Sequence, residues 1–246
     1  MRQGGILMLL GVTAVNFASA FFQASSGFGY ALIAMAIMPQ FLPMRDCSAI
    51  SAVTVVVIGL QMSLTLRKHL KLRIVLLPIL CCMLTINVGL YILMHFDEFT
   101  LRLILAGLLF LVTGIFFYCR KRQIVIPNRW YSAAIAGLVT GLSTGMFNIV
   151  GPFLLIYYMN VCEDTLTMKA SLEFSFLLAG LYSMIMHISY GNIRLELLPA
   201  LTCSAVAAIM AGIIGLRVYQ KINKDKIALM AYILLPIMAV SLIVNG

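Results

Sequence analysis

Residues 4–43 form forty consecutive positions without a single charged side chain. As one helix the run would reach about 60 Å at 1.5 Å per residue. That is twice a hydrocarbon core of roughly 30 Å. The run must therefore fold back, either as two spans or as a re-entrant pair. Residues 131–161 present the same problem. Further apolar segments fall at about 47–66, 74–94, 101–118, 170–189, 197–216 and 227–245. Short charged or turn segments punctuate them, such as "RKHLKLR" at 67–73 and "KINKDK" at 221–226. With 63% hydrophobic and 10% charged residues, composition lies far outside the soluble range. The expected fold class is all-α, a polytopic membrane protein. No connecting segment is long enough to form a soluble domain, so any site must lie between helices.

The net charge of +9 would suggest nucleic acid on a soluble protein. Here the basic residues sit in short loops, and no basic face is interleaved with exposed aromatics, so nucleic acid is excluded as a partner. If each folded-back pair returns to its starting side, loops 67–73, 119–129, 162–169 and 217–226 share one side. Lysine and arginine then divide 13 against 4, whereas single crossings would give 10 against 7. The positive-inside rule favours the first arrangement, with those loops cytoplasmic and both termini outside. Each half then makes an odd number of crossings, so the halves are inverted. Ala18-Ser19-Ala20 imitates a signal-peptidase site, but the sequence beyond it stays apolar and cleavage is not expected. The six cysteines form no C-x-x-C pair, and neither a disulfide nor a metal site is expected.

The chain repeats itself. "LRIVLLPIL" at 72–80 matches "IRLELLPAL" at 193–201 with an offset of 121. The same offset pairs Arg73 with Arg194, Pro78 with Pro199, Gly59 with Gly180 and Ala49 with Ala170; one residue of slippage pairs Gly29 with Gly151. The expected organisation is an N-terminal repeat at 1–119, a linker at 120–129 and a C-terminal repeat at 130–246. Inverted repeats are common in secondary transporters.

In each half the first apolar pair is interrupted. Half one carries Gln23, Ser25, Ser26, Gly27 and Gly29; half two carries Gly141, Ser143, Thr144, Gly145, Asn148, Gly151 and Pro152. A broken helix exposes backbone N–H groups at the start of its second part, and these with the aligned peptide dipoles favour an anion. In hydrocarbon such backbone survives only where it lines a cavity. Serine and asparagine add donors without charge, and glycine admits a ligand to the backbone. These residues are the expected substrate site, with no lysine or arginine expected beside it. The four-residue spacing of Gly137, Gly141 and Gly145 also suits close helix packing.

The pattern "SSGFGYAL" in half one, "GLVTGLSTGMFNIVGPFLLIYYM" at 137–159 and the doubled R-x-x-L-L-P-x-L element resemble the sulfite exporter TauE/SafE family of membrane permeases. The resemblance runs over nearly the whole chain. It implies a bacterial inner-membrane transporter of sulfite or of organosulfonates such as sulfoacetate.

Other polar residues leave alternatives open. Glu173 is either a proton-coupling carboxylate or the partner of Lys169 at the membrane interface. Arg73 and Arg194 either draw anions into vestibules or snorkel as anchors. His187 and Gln61 lie near segment ends, which favours packing roles. Ser51, Thr54, Ser171 and Ser175 either face the site or bond back to their own helices. An inside-negative potential of 100 mV drives each negative charge outward by about 2.3 kcal/mol, so anion export needs no coupling ion. Two rival functions have weaker support in the residues. "GLSTG" at 141–145 matches the serine-hydrolase elbow but lacks its strand–turn–helix context and a histidine partner; a non-transporting membrane subunit predicts no cavity at the breaks. The expected partners are a small anion and the lipid bilayer, with a homodimer left open, and no cofactor is expected.

Overall fold

The computed structural model describes residues 2–121, 125–219, 236–237, 239–242 and 244. Nine α-helices are described: α1 (Arg2–Ser26), α2 (Tyr30–Ile37), α3 (Met44–Leu66), α4 (Leu72–His95), α5 (Glu98–Lys121), α6 (Trp130–Phe147), α7 (Gly151–Val161), α8 (Thr165–Ser189) and α9 (Leu198–Tyr219). Six apolar helices have the length and composition to cross a membrane. Large apolar side chains such as Leu7, Leu64, Leu84, Leu111, Ile185 and Val206 are exposed on them, as a lipid solvent requires. The protein is a multi-pass membrane protein. The expected segment 227–245 lies mostly outside the described residues, as do parts of the linker and of the 217–226 loop.

The two folded-back runs are not pairs of full spans. Helix α1 is long enough to cross, but α2 has 8 residues and α7 has 11, or about 12 and 17 Å. Each is a short return segment. Helix starts carry local caps: Asp164 accepts from Thr167 N at 2.8 Å, and Asp97 accepts from Thr100 N at 3.0 Å. The Glu98 carboxylate accepts from Met44 N at 3.0 Å and so covers the start of α3.

Helices α3 and α8 cross antiparallel. Ser48 meets His187 near one end, while Gly180 lies on Val55 and Val56, and Gly59 on Leu177. Helix α6 lies along α4, where Gly137, Gly141 and Gly145 face the carbonyls of Pro78, Cys82 and Ile86, and Gly89 faces that of Leu142. No Cβ fits at these positions, so the glycine stripe does bring two backbones together. Thr85 reaches across this seam to Leu138 O at 2.7 Å. Helix α1 lies along α9, with Gly215 against Phe21 and Ala24.

Polar contacts group the helix ends. Arg45 donates to Met94 O at 2.6 Å and Arg194 pairs with Asp46 at 2.8 Å, which brings 43–46, 93–98 and 192–194 to one end. Lys71 pairs with Glu163 at 2.6 Å at the opposite end.

Candidate anion site at the paired helix breaks

Helix α1 stops because Gly27 (φ 92°) and Gly29 (φ 103°) take left-handed backbone, which glycine adopts without a Cβ penalty. Helix α6 stops at Asn148, also left-handed at φ 54°, a conformation asparagine tolerates. Helix α7 restarts with Pro152 in its first turn, where the missing N–H loses no helical bond. Neither α2 nor α7 has a side-chain cap at its N-terminus.

The two breaks come together. Gln23, Gly29, Ala31, Leu32, Asn148, Ile149, Val150, Gly151 and Pro152 line one cavity, closed by Val55 and Phe176 from midway along α3 and α8. The uncapped starts of α2 and α7 both face it. Its volume is about 10 Å³, room for one water. Gly151 lines it, and a Cβ there would make ordinary contacts with Phe176 at 3.4 Å and Phe28 at 3.6 Å.

Of the residues expected from sequence, Gln23, Gly29, Asn148, Gly151 and Pro152 line the cavity. The hydroxyls of the others turn to backbone carbonyls. Ser25 donates to Phe21 O at 2.6 Å, Ser26 to Phe28 O at 2.7 Å, Ser143 to Ile149 O at 2.7 Å and Thr144 to Thr140 O at 2.7 Å. Ser26 and Ser143 thus fasten the two breaks rather than offer donors to a ligand. Gly141 and Gly145 belong to the α4–α6 seam. Thr54 and Ser175 bond back to Ile50 O and Ser171 O, while Ser51 and Ser171 are buried. Arg73 is exposed and Arg194 is held by Asp46; both are remote from the cavity lining. Ser143 lies inside a helix with its hydroxyl on carbonyls, outside the context an elbow nucleophile needs.

Two features escaped the sequence reading. First, Lys169 and Glu173 are both buried inside the protein. The Lys169 stem lies over Gly27, where a Cβ would meet it at 3.5 Å, and its Nζ donates to Ala24 O at 3.1 Å, in the last turn of α1. A cation therefore does stand at the first break, contrary to expectation. It covers the negative end of the α1 dipole. Glu173 Oε2 accepts from Gln23 Nε2 at 3.1 Å.

Second, His187 is buried within a polar chain. Asn148 Nδ2 donates to Ser48 O at 2.8 Å and to its Oγ at 3.0 Å. Ser48 Oγ meets His187 Nε2 at 3.2 Å, and His187 Nδ1 meets Asn192 Nδ2 at 2.9 Å. The chain ties the second break to one end of the helix array. The repeat offset held a signal for both features: 121 residues separate Ser48 from Lys169, and each side chain lies on the break contributed by the other half.

Tyrosines pin the short helices. Tyr30 donates to Asn16 Oδ1, holding α2 along α1, and Tyr158 and Ser175 hydroxyls meet at 2.7 Å, holding α7 on α8.

No curated protein and no solved structure matches the chain. The family model for the sulfite exporter TauE/SafE matches residues 12–242, which takes in both breaks, the α3–α8 crossing and both helix seams. The chain belongs to the sulfite exporter TauE/SafE family of membrane transporters.

Proposed function

We propose that this protein is a permease of the bacterial cytoplasmic membrane that passes sulfite or an organosulfonate by alternating access between two inverted halves. The observation that carries the reading is the meeting of two uncapped helix N-termini, α2 and α7, at one cavity. Two such termini favour negative charge, and the oxygens of a sulfur oxyanion can accept from the exposed N–H groups of both.

The packing supports a duplicated unit. Under the sequence offset, the α1–α9 seam exchanges with α6–α4, and α3 exchanges with α8, its antiparallel partner. The contacts at the helix ends fit the same scheme: Lys71 and Glu163 join two loops assigned to the cytoplasm, while Asp46 and Arg194 join two assigned outside. The cavity is smaller than an oxyanion, so loading requires the breaks to part. Glycine at 27, 29 and 151 supplies backbone places to move.

Purified protein in liposomes loaded with sulfite tests the function. Saturable efflux above protein-free liposomes, inhibited by external sulfonate, is the expected result. No flux of sulfite, sulfoacetate or ethanesulfonate through folded protein overturns the reading.

A further inference from the structure

Glu173 and Lys169 lie one helical turn apart on α8, both out of reach of water. Glu173 Oε1 is buried and accepts no hydrogen bond among the described residues; its other oxygen accepts only from Gln23, which lines the cavity. A buried carboxylate with half its acceptors empty is held at a cost, and it needs either a cation or a proton. Lys169 is the cation within reach, and its stem lies on the break itself.

The other titratable groups on elements packed against α8 have separate places. Tyr158 of α7 bonds Ser175, and Tyr157 is its neighbour in sequence. Arg45, Asp46 and Cys47 of α3 lie at the other end of α8, beside Ser48 and His187. The titratable groups of α4 are Arg73, Cys81, Cys82, Tyr91 and His95, that of α6 is Tyr131, and the 67–69 turn packed on α8 carries Arg67, Lys68 and His69; none of these bonds Glu173. From α1 comes only the neutral Gln23.

An anion entering beside Gln23 and Gly29 brings a second negative charge next to Glu173. Like charges in a buried site do not both persist, and a proton on the carboxyl removes the conflict. We propose that Lys169 is the cation that meets the transported anion, and that Glu173 takes up one proton from water as the anion binds. The empty site then holds a lysine–glutamate pair, and the loaded site holds lysine, anion and a neutral carboxylic acid. Proton and anion travel together. This rests on the reading of the breaks as the anion site.

The test is calorimetric titration of the purified protein with ethanesulfonate, whose charge is constant between about pH 5.5 and 8.5, and with sulfite. Titrations in buffers of different ionisation heat count the protons. One proton taken up per ethanesulfonate is expected, with the dissociation constant rising about tenfold per pH unit on the alkaline side. Glu173→Gln should bind without proton uptake and with no pH dependence. Lys169→Met should weaken binding at least about tenfold at every pH, an effect within the range of charged hydrogen bonds, and Lys169→Arg should restore part of it. Thermal melting confirms that each variant is folded. Binding to wild type without proton uptake, or a Glu173→Gln variant that keeps the wild-type pH dependence, overturns the inference alone. No binding of either anion to folded wild type overturns the functional reading and this inference together.

Discussion

At the scale of single residues, the breaks show how composition can mislead about donors. A serine in a membrane helix reads as a polar group offered to a ligand, yet Ser25, Ser26, Ser143 and Thr144 each spend their proton on a carbonyl. In a medium without water the nearest carbonyl wins. What remains at the cavity is the backbone of the two helix starts, since the Gln23 and Asn148 amides that line it donate to Glu173 and Ser48. Glycine and asparagine at left-handed positions were legible because few residues adopt that backbone. Lys169 was not, because a lysine one turn into a helix reads as interfacial until the packing above it is known. The caps are legible as D-x-x-T at 97–100 and 164–167. Bonds from Thr167, first its N–H and then its hydroxyl, hold the Asp164 carboxyl below its ordinary range. A depressed carboxyl stabilises the fold above its unfolded value near pH 3.9 and loses that contribution as pH falls through the folded value. Asp164→Ala should therefore lower the melting temperature at pH 7, and the gap to wild type should close as pH drops below about 3.9. A gap of constant size down to pH 2.5 would show that the charged cap is not what the alanine removes.

At the scale of elements, the glycine stripe of α6 sets a distance. Both its readings, packing and site, were open in the sequence. The fold divides them: Gly137, Gly141 and Gly145 meet carbonyls of α4, and Gly151 meets the cavity. A Cβ at Gly141 would overlap Cys82 O and the Thr85 hydroxyl, and a backbone carbonyl cannot swing away as a flexible side chain can. Gly141→Val should destabilise the protein by about 1–3 kcal/mol, the usual scale of overpacking. Gly107 and Gly114 of α5 have open space instead, so Gly107→Ala should be neutral or stabilising by up to about 1 kcal/mol through helix propensity. Denaturation in detergent, with α-helical signal as readout, separates the two. Equal effects at both positions would contradict the seam. The short α2 and α7 could not be foreseen: apolar runs of 28–43 and 150–161 do not tell a crossing from a return segment, and the decision rests on where α3 and α8 begin.

At the scale of the whole molecule, the likeness between "RIVLLPIL" and "RLELLPAL" goes with a likeness in packing. Two seams of the same kind, α1–α9 and α6–α4, flank one antiparallel crossing of α3 and α8. Each half thereby sends a polar residue, Ser48 or Lys169, to the break of the other. Positions 48 and 169, 121 residues apart, differ in charge, so the two breaks differ in chemistry. One break carries an amide chain ending at Asn192, the other a buried lysine with a buried carboxylate one turn further along α8. The claim on which everything else rests is that the anion binds where α2 and α7 begin. The direct measurement is sulfite flux in liposomes through Gly151→Val, set beside Gly107→Ala. Position 151 has ordinary backbone and a Cβ there makes only contacts of 3.4 Å and longer, so the variant should fold while its side chain fills a cavity about one water in size. The account predicts that flux falls at least about tenfold in Gly151→Val and stays at the wild-type level in Gly107→Ala, an effect of more than about 1.4 kcal/mol on the loaded site. Undiminished saturable flux through folded Gly151→Val would contradict it.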